Sequence, residues 1–300
     1  MNAVEIRNLT KNFGEKQALC GIDMTVPKGA IYGFIGENGS GKSTTEKIIC
    51  GLLNFNGGEV KLFGKDYTDI NVRANCGVLI ESPGCYNNIS IWNNLALHAY
   101  NLNIKNPEQE IKRVLKAVRM EGAASNKFKN CSLGMKQRIG IALALMGEPE
   151  LLVLDEPING LDADGMRVMR EILTDLSKKG CTVLISSHIL GELEKIATHY
   201  GIIRGGKMIK EMTASELNAD CRTYVALKIK DEHTAKIVLE RKYQKVEVEN
   251  NNLRVYGAQN AQEVVNYLYS FNLVVSEVKT DKISLEEYYI DLMNKRGTIK

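Results

Sequence analysis

The segment 36-GENGSGKST-44 constrains the fold of this chain more than any other, because it contains the pattern G-x-x-x-x-G-K-[ST]. It follows a short apolar run, AIYGFI (30–35), and precedes a segment with helical periodicity, STTEKIICGLL (43–53). In that context the glycines let the backbone wrap closely around a polyphosphate. Backbone N–H groups of the loop and of the helix N-terminus supply the hydrogen-bond donors.

The side chains of this loop add charge and a metal ligand. Lys42 would reach the β- and γ-phosphates, and the Ser43 hydroxyl would bind Mg²⁺. The alternative is a glycine-rich strand-to-helix turn that binds nothing. The residues predicted to form the phosphate site are Gly36, Glu37, Asn38, Gly39, Ser40, Gly41, Lys42, Ser43 and Thr44.

The rest of the first 210 residues alternates apolar runs with amphipathic segments. GVLI (77–80), LLVL (151–154) and TVLISS (182–187) are almost wholly apolar, as strands of a parallel sheet covered on both faces are. MRVMREILTDLSKK (166–179) has the period of a helix. This alternation predicts an α/β domain.

Two further regions differ from that pattern. Residues 89–146 contain no strand candidate and predict an inserted helical subdomain, with helices at 107–120 and from 139 onwards. From residue 213 the order of elements is β-α-β-β-α-β, with a hairpin turning at 250–252 and a final helix at 284–295. We therefore predict an α/β core with a phosphate loop over 1–212 and a small α+β domain, with the order of a ferredoxin-like unit, over 213–300.

Composition excludes several classes of protein. The net charge of +3 is too small for a nucleic-acid footprint, so no nucleic acid partner is expected. The longest apolar runs fall short of the ~18–20 residues that span a bilayer, and the first residues lack a signal-peptide core. The seven cysteines form no CxxC pair, so neither a zinc site nor a disulfide framework is indicated. The chain is expected in the cytosol, with any membrane role assigned to partner subunits.

A second candidate for nucleotide chemistry follows the run at 151–154. Asp155 stands at the end of a predicted buried strand, where it could hold Mg²⁺, usually through water. Glu156 could then orient the attacking water or act as its general base. Ligands gather at the carboxyl ends of strands in open α/β sheets, so the position suits this role. The alternative is an ordinary solvated turn.

These motifs occur together in one known family, and residues 1–215 resemble the ATP-binding-cassette (ABC) ATPases. The segment 131-CSLGMKQR-138 is similar to the family's signature, usually LSGGQ. Ser132 and Gly134 match that motif, whereas Leu133 and Met135 depart from it. The resemblance implies a P-loop fold of ABC type that binds ATP and Mg²⁺. By itself, CSLG would be an ordinary helix cap.

The resemblance also assigns roles to three residues elsewhere. Asp162, in 159-NGLD-162, resembles the aspartate through which the two subunits of a dimer communicate. His188, after the run at 182–187, resembles the switch histidine that contacts the γ-phosphate. Phe13 stands where the family often has an aromatic ring that stacks on adenine; the alternative is a turn or core aromatic.

The family's organisation implies two partners. One chain supplies the phosphate loop, Asp155, Glu156 and His188, while Ser132 and Gly134 complete the nucleotide site of another chain. The resemblance therefore implies a homodimer, or a pair with a related cassette. It also implies docking of the helical subdomain onto a separate transmembrane permease, at the inner face of the cell membrane.

The form of the signature and the small C-terminal domain most resemble the bacitracin-resistance and lantibiotic-immunity branch of exporters. Two other functions stay open: an import ATPase, and a soluble cassette protein that acts on ribosomes or DNA. The C-terminal domain could be regulatory, support a dimer or dock a partner.

Glu81, in 77-GVLIESPGCY-86, is the clearest departure from the family. It occupies the position of a glutamine that reaches Mg²⁺ and the attacking water, and some lantibiotic-immunity relatives carry the same exchange. We hypothesise that Glu81 lies in the site as a metal-binding or catalytic carboxylate. The alternative is a loop carboxylate turned to solvent.

Overall fold

The first 214 residues form two sheets, and the predicted apolar runs all lie in one of them. The computed structural model describes residues 1–220, 223–249 and 252–296, and the chain divides into two units, Met1–Ala214 and Ser215–Lys300. The strands of the first unit are β1 (Asn2–Phe13), β2 (Lys16–Pro27), β3 (Ile31–Ile35), β4 (Gly57–Leu62), β5 (Lys65–Asp66), β6 (Cys76–Leu79), β7 (Leu151–Asp155), β8 (Thr182–Ser186), β9 (His199–Arg204) and β10 (Lys207–Thr213). Its helices are α1 (Lys42–Ile49), α2 (Ile70–Arg73), α3 (Ile91–Asn101), α4 (Pro107–Ala117), α5 (Leu133–Ala144), α6 (Ala163–Lys178) and α7 (Leu190–Leu193).

The main sheet, which lies wholly within the described residues 1–214, has the strand order β10-β9-β3-β8-β7-β6. It is parallel from β9 to β6, and β10 pairs antiparallel with β9. The four predicted buried strands are confirmed as β3, β6, β7 and β8. Because β8 lies between β3 and β7, the loops that follow these three strands emerge side by side at one edge of the sheet.

A second, antiparallel sheet of order β2-β1-β4-β5 was not predicted. The pairing of β1 with β2 shifts register several times, and Asn8, with a positive φ of 46°, lies within the shift between Ile6 and Leu9. Such bulges interrupt the two-residue alternation by which a half-buried strand is recognised in sequence.

Helix α1 packs in the core that the two sheets share. Its Ile48 and Ile49 are fully buried together with Leu19 of β2 and Phe34 of β3. The helix is shorter than the predicted 43–53, because Gly51 takes a left-handed φ of 69° and ends it just beyond Ile49.

The region 89–146 is helical, as predicted, but one helix begins earlier than expected. Helix α5 starts at Leu133 rather than near residue 139, because the Ser132 side chain accepts a hydrogen bond from the Met135 N–H (3.2 Å) and caps it. Helices α3, α4 and α5 bury Leu95, Val114 and Ile139.

The second unit has its own core. After α8 (Ala214–Asp220) come β11 (Thr223–Ile229), α9 (Glu232–Glu240), β12 (Lys245–Glu249), β13 (Asn252–Tyr256), α10 (Ala261–Tyr269), β14 (Val275–Lys282) and α11 (Leu285–Arg296). The sheet order is β12-β13-β11-β14, with every pair antiparallel. The predicted β-α-β-β-α-β order is therefore observed; residues 250 and 251 of the predicted turn lie outside the described residues.

None of the helices in the described part of the chain combines the length and the apolar character that crossing a bilayer requires.

Candidate nucleotide-binding site

The backbone of the phosphate loop can form only with glycine at two positions. A Cβ on Gly36 would lie 2.5 Å from the Ile203 carbonyl oxygen and 2.5 Å from Ser40 Oγ. Gly41 has a φ of 114°, and a Cβ there would lie 2.7 Å from Leu19 Cδ2. Strand β9 and the second sheet thus hold the loop closely wound against the start of α1.

This loop presents polar groups that suit a phosphate. No side chain of the described residues caps the N-terminus of α1, so its first N–H groups keep their donor capacity. The buried Ser40 Oγ also meets no hydrogen-bonding partner within the described part of the chain. The buried Lys42 ammonium donates to the carbonyl oxygens of Gly36 (2.6 Å) and Glu37 (3.2 Å), which keeps its charge within the loop. These groups fit an anion held at a helix N-terminus.

The acids after β7 stand next to the loop after β8. The Ser186 hydroxyl donates to Asp155 Oδ1 (2.8 Å) and accepts from the Glu156 N–H (3.1 Å). Glu156 has a positive φ of 50°, and its Oε2 lies 2.8 Å from His188 Nδ1. The predicted general base and the predicted switch histidine are therefore hydrogen-bonding neighbours.

The phosphate loop and the two acids after β7 line one cavity of about 420 Å³, whereas His188 is outside its lining and contacts it through Glu156. Ser43 and Asp155 both line it, and their oxygen atoms are ligands of the kind that Mg²⁺ prefers. Phe13, from the end of β1, lines the same cavity. Sequence reasoning missed the remaining wall, which consists of Lys16, Gln17, Ala18, Gly205 and Gly206.

The Gly205–Gly206 turn is fixed by hydrogen bonds to its surroundings. The Gly206 N–H donates to the Ser40 carbonyl of the phosphate loop (2.8 Å), and the Gly206 carbonyl accepts from the Cys20 N–H (2.8 Å). The two adjacent glycines after β9 indicate a turn, but the local sequence does not show that this turn contacts the phosphate loop, which lies far earlier in the chain.

Ser132, Gly134 and Asp162 do not contribute to this cavity. They line a separate one of about 430 Å³, formed by the starts of α5 and α6. Asp162 caps α6 by accepting a hydrogen bond from the Gly165 N–H (2.9 Å).

Glu81 also lies away from the lining of the 420 Å³ cavity. Its backbone has a positive φ of 67°, and its side chain is 72% exposed and pairs with Lys47 Nζ of α1 at 2.8 Å. The hydrogen bond and charge of Lys47 hold the pKa of this carboxyl below its usual range. Its assignment to the metal site stays a prediction.

Sequence reasoning overlooked a second carboxylate, Glu46. It is completely buried on α1, and neither carboxyl oxygen meets a hydrogen-bonding partner among the described residues. Burial, and then the negative charge of Asp155, raise the pKa of Glu46 well above its ordinary value, while Ser186 and Lys42 act in the opposite direction. The only sequence feature that could have drawn attention to Glu46 is a charged residue within the first helix after the phosphate loop.

Comparison with known proteins decides the family. The sequence model of the ABC transporter family matches residues 19–159. The bacitracin transport ATP-binding protein BcrA of Enterococcus faecalis is 36% identical over 98% of this chain and 97% of its own length. The chain belongs to the ABC transporter family. The predicted fold class, ATP binding and ATP hydrolysis are thereby confirmed.

Two further ABC proteins show how far the likeness extends. The lantibiotic transport ATP-binding protein SrtF of Streptococcus pyogenes is 40% identical over 71% of this chain and 93% of its own. The solved structure of cbiO1 from Clostridium perfringens, part of the ABC transporter complex cbiONQ, has a TM-score of 0.67 and 25% identity, covering 73% of this chain and 91% of its own. The match to BcrA spans nearly the whole chain, so it includes the second unit.

Proposed function

We propose that this ABC ATPase drives export of, or immunity to, an antimicrobial peptide or peptide antibiotic through a separate membrane permease. The observation that carries the proposal is the similarity to BcrA over both units of the chain. SrtF, whose name assigns it to lantibiotic transport, supports the same class of cargo for the ATPase unit.

The proposed hydrolytic roles follow from the contacts around the cavity. Lys42 would neutralise the β- and γ-phosphates, and the N–H groups of the loop would orient them. Glu156 would accept the proton of the attacking water, with His188 at 2.8 Å beside it to contact the terminal phosphate. No group of three or more His, Cys, Asp or Glu side chains in the described residues is arranged to hold a metal. Ser43 and Asp155, which line the same cavity, would hold Mg²⁺ together with the nucleotide, and the ion would neutralise phosphate charge.

A two-chain arrangement is supported by the separation of the two cavities. Ser132 caps α5 and lines the 430 Å³ cavity, whereas the phosphate loop lines the 420 Å³ one. A helix N-terminus with a serine hydroxyl is suited to an anion, so we assign it to the nucleotide of a second chain. That chain would be an identical subunit or a related cassette.

Permease docking is supported by a groove of mixed polarity lined by the residues on either side of Glu81, Ile80 and Ser82. Leu79, Leu102 and Leu143 line a cavity of about 440 Å³ between β6 and the helical region. Exposed apolar side chains occur in the same region, and Tyr100 is 80% exposed. Exposed apolar surface of this kind suits a protein partner.

The proposal is tested by co-expressing the chain with a candidate permease in a peptide-sensitive host. The Glu156→Gln variant should keep ATP binding but lose about 10²-fold or more of kcat, since a general base contributes about that much. Peptide resistance should be lost with it. Glu121→Gln, at an exposed acid, is the matched control. Normal peptide resistance with the Glu156→Gln variant, or a parent without ATPase activity, would refute the proposal.

A further inference from the structure

Two leucine–glycine contacts join the signature segment (131–135) to the turn at 159–162. The Cδ2 atom of Leu133 lies 2.9 Å from the point where a Cβ on Gly160 would stand. The Cδ2 atom of Leu161 lies 3.6 Å from the corresponding point on Gly134. Leu133 therefore fills the space that a side chain at residue 160 would need, whereas the space beside Gly134 would still admit a methyl group next to Leu161.

The first of these contacts depends on both residue types. Gly160 has a φ of 72°, and any side chain there would meet Leu133. Leu133 is 49% exposed and stands where the commonest signature has glycine, so the contact exists because of this departure. A half-exposed leucine that reaches across to a second segment gains van der Waals contact that a glycine could not make.

The 159–162 turn is hydrogen-bonded to Glu156, the proposed general base. The Asn159 N–H donates to the Glu156 carbonyl (3.1 Å), and the Leu161 N–H donates to that of Ile158 (3.4 Å). Ile158 is fully buried, so the turn is anchored in the core. A continuous set of contacts thus runs from the signature segment, through Leu133 and Gly160, to Glu156.

We propose that Leu133 is a positioning residue that couples the two half-sites of one chain. When Ser132 and Gly134 engage the nucleotide of a second chain, the contact of Leu133 with Gly160 holds the 159–162 turn and keeps Glu156 in its catalytic position. This inference rests on the two-chain arrangement proposed above. It assigns the coupling to a side chain that does not line the chain's own nucleotide cavity.

The test is a double-mutant cycle on the full chain with Leu133→Ala and Gly160→Ala. Each single variant should lower kcat about tenfold, equivalent to about 1.4 kcal/mol, and reduce the Hill coefficient for ATP towards one. Binding of ADP to the phosphate loop, measured by calorimetry, should stay within about twofold because Leu133 does not line that cavity. The double variant should lose about tenfold rather than about a hundredfold, because truncating the Leu133 side chain makes room for the new methyl group on residue 160.

Two variants control for effects unrelated to the contact. Gly64 has a φ of 79° with nothing within 4 Å of its added Cβ, so Gly64→Ala imposes similar backbone strain without displacing a leucine. Ile237, 44% exposed on α9, is the matched aliphatic residue for Ile237→Ala. Both controls should keep the parent's kcat and Hill coefficient.

The possible outcomes separate the inference from the proposed function. Multiplicative losses in the double variant, or a parent-like Hill coefficient in Leu133→Ala, would overturn the coupling while leaving the ATPase proposal intact. A parent that neither hydrolyses ATP nor pairs in its presence would overturn the proposed function, and this inference with it.

Discussion

Glu46 gives the sharpest test of the physical description of the site. The carboxyl group is completely buried near Lys42, Asp155 and Ser186, and it makes no well-formed hydrogen bond with a described residue. Replacing it with the isosteric glutamine removes a group whose ionised form is strongly disfavoured there. We expect Glu46→Gln to stabilise the ATPase unit, and to do so more as the pH rises.

The sign follows from the direction of the pKa shift. The pKa of Glu46 in the folded chain is well above 4.5, its ordinary value, so the folded state keeps a proton that the unfolded state loses. The parent is therefore most stable, as far as this group is concerned, below pH 4.5 and loses stability as the pH rises towards the folded pKa. The loss follows the general slope of about 1.4 kcal/mol per pH unit at most, so the stability of the parent falls between pH 5.5 and pH 7.5.

Urea unfolding without nucleotide measures this difference. Trp92, the only tryptophan of the chain, lies on α3 in the first unit, so its fluorescence reports on the ATPase unit. The free energy of unfolding of Glu46→Gln should exceed that of the parent, by a larger margin at pH 7.5 than at pH 5.5. Glu121→Gln, at an exposed site, should show no such widening.

The reasoning would be refuted by a margin that is equal at the two pH values. It would also be refuted by a variant that is less stable than the parent at pH 7.5. Either result would mean that the Glu46 carboxylate is compensated in the folded state.

Two further predictions concern the nucleotide and the loop after β6. Phe13→Ala should raise the KM for ATP roughly tenfold, because stacking on a base contributes about 1–3 kcal/mol. Phe13→Tyr keeps an aromatic ring and should have a KM near that of the parent. Equal KM values for Phe13→Ala and the parent in steady-state ATPase assays would show that Phe13 does not stack on the adenine. Glu81→Gln should change both Mg²⁺-dependent ATPase activity and peptide resistance, with Lys47→Gln as the control that breaks the same ion pair but keeps the carboxylate. If Glu81→Gln changes neither, or if Lys47→Gln reproduces its effects, Glu81 acts outside the metal site.

The parts of the site predicted from sequence are those that depend on neighbours along the chain. The phosphate loop could be recognised because a strand, a glycine-rich turn and a helix follow one another within about 25 residues. Asp155 and Glu156 could be placed because they directly follow a wholly apolar strand. The helix cap at Ser132 can also be recognised from sequence, although the predicted start of its helix, near residue 139, lies too far along the chain.

The parts that were missed depend on segments distant in sequence. The antiparallel sheet of β1, β2, β4 and β5 was not predicted, because its bulges interrupt the alternation of buried and exposed residues. The Gly205–Gly206 turn joins the cavity only because β9 pairs with β3. Glu46 could not be recognised as buried, since a charged residue on a short helix is usually solvated.

Three local features of this protein follow from short stretches of sequence: a loop that can bind phosphate, a strand that ends in two acids and a helix that begins with a capping serine. Each depends on backbone geometry and polarity over a few adjacent residues. Which of these groups line the same cavity depends on how the strands are ordered in the sheet. The strand order brings His188 to Glu156 and leaves Ser132 in a separate cavity, and close packing sets Leu133 against Gly160. These contacts form because side chains that are far apart in the chain pack together in the core, and a local sequence pattern does not contain that information.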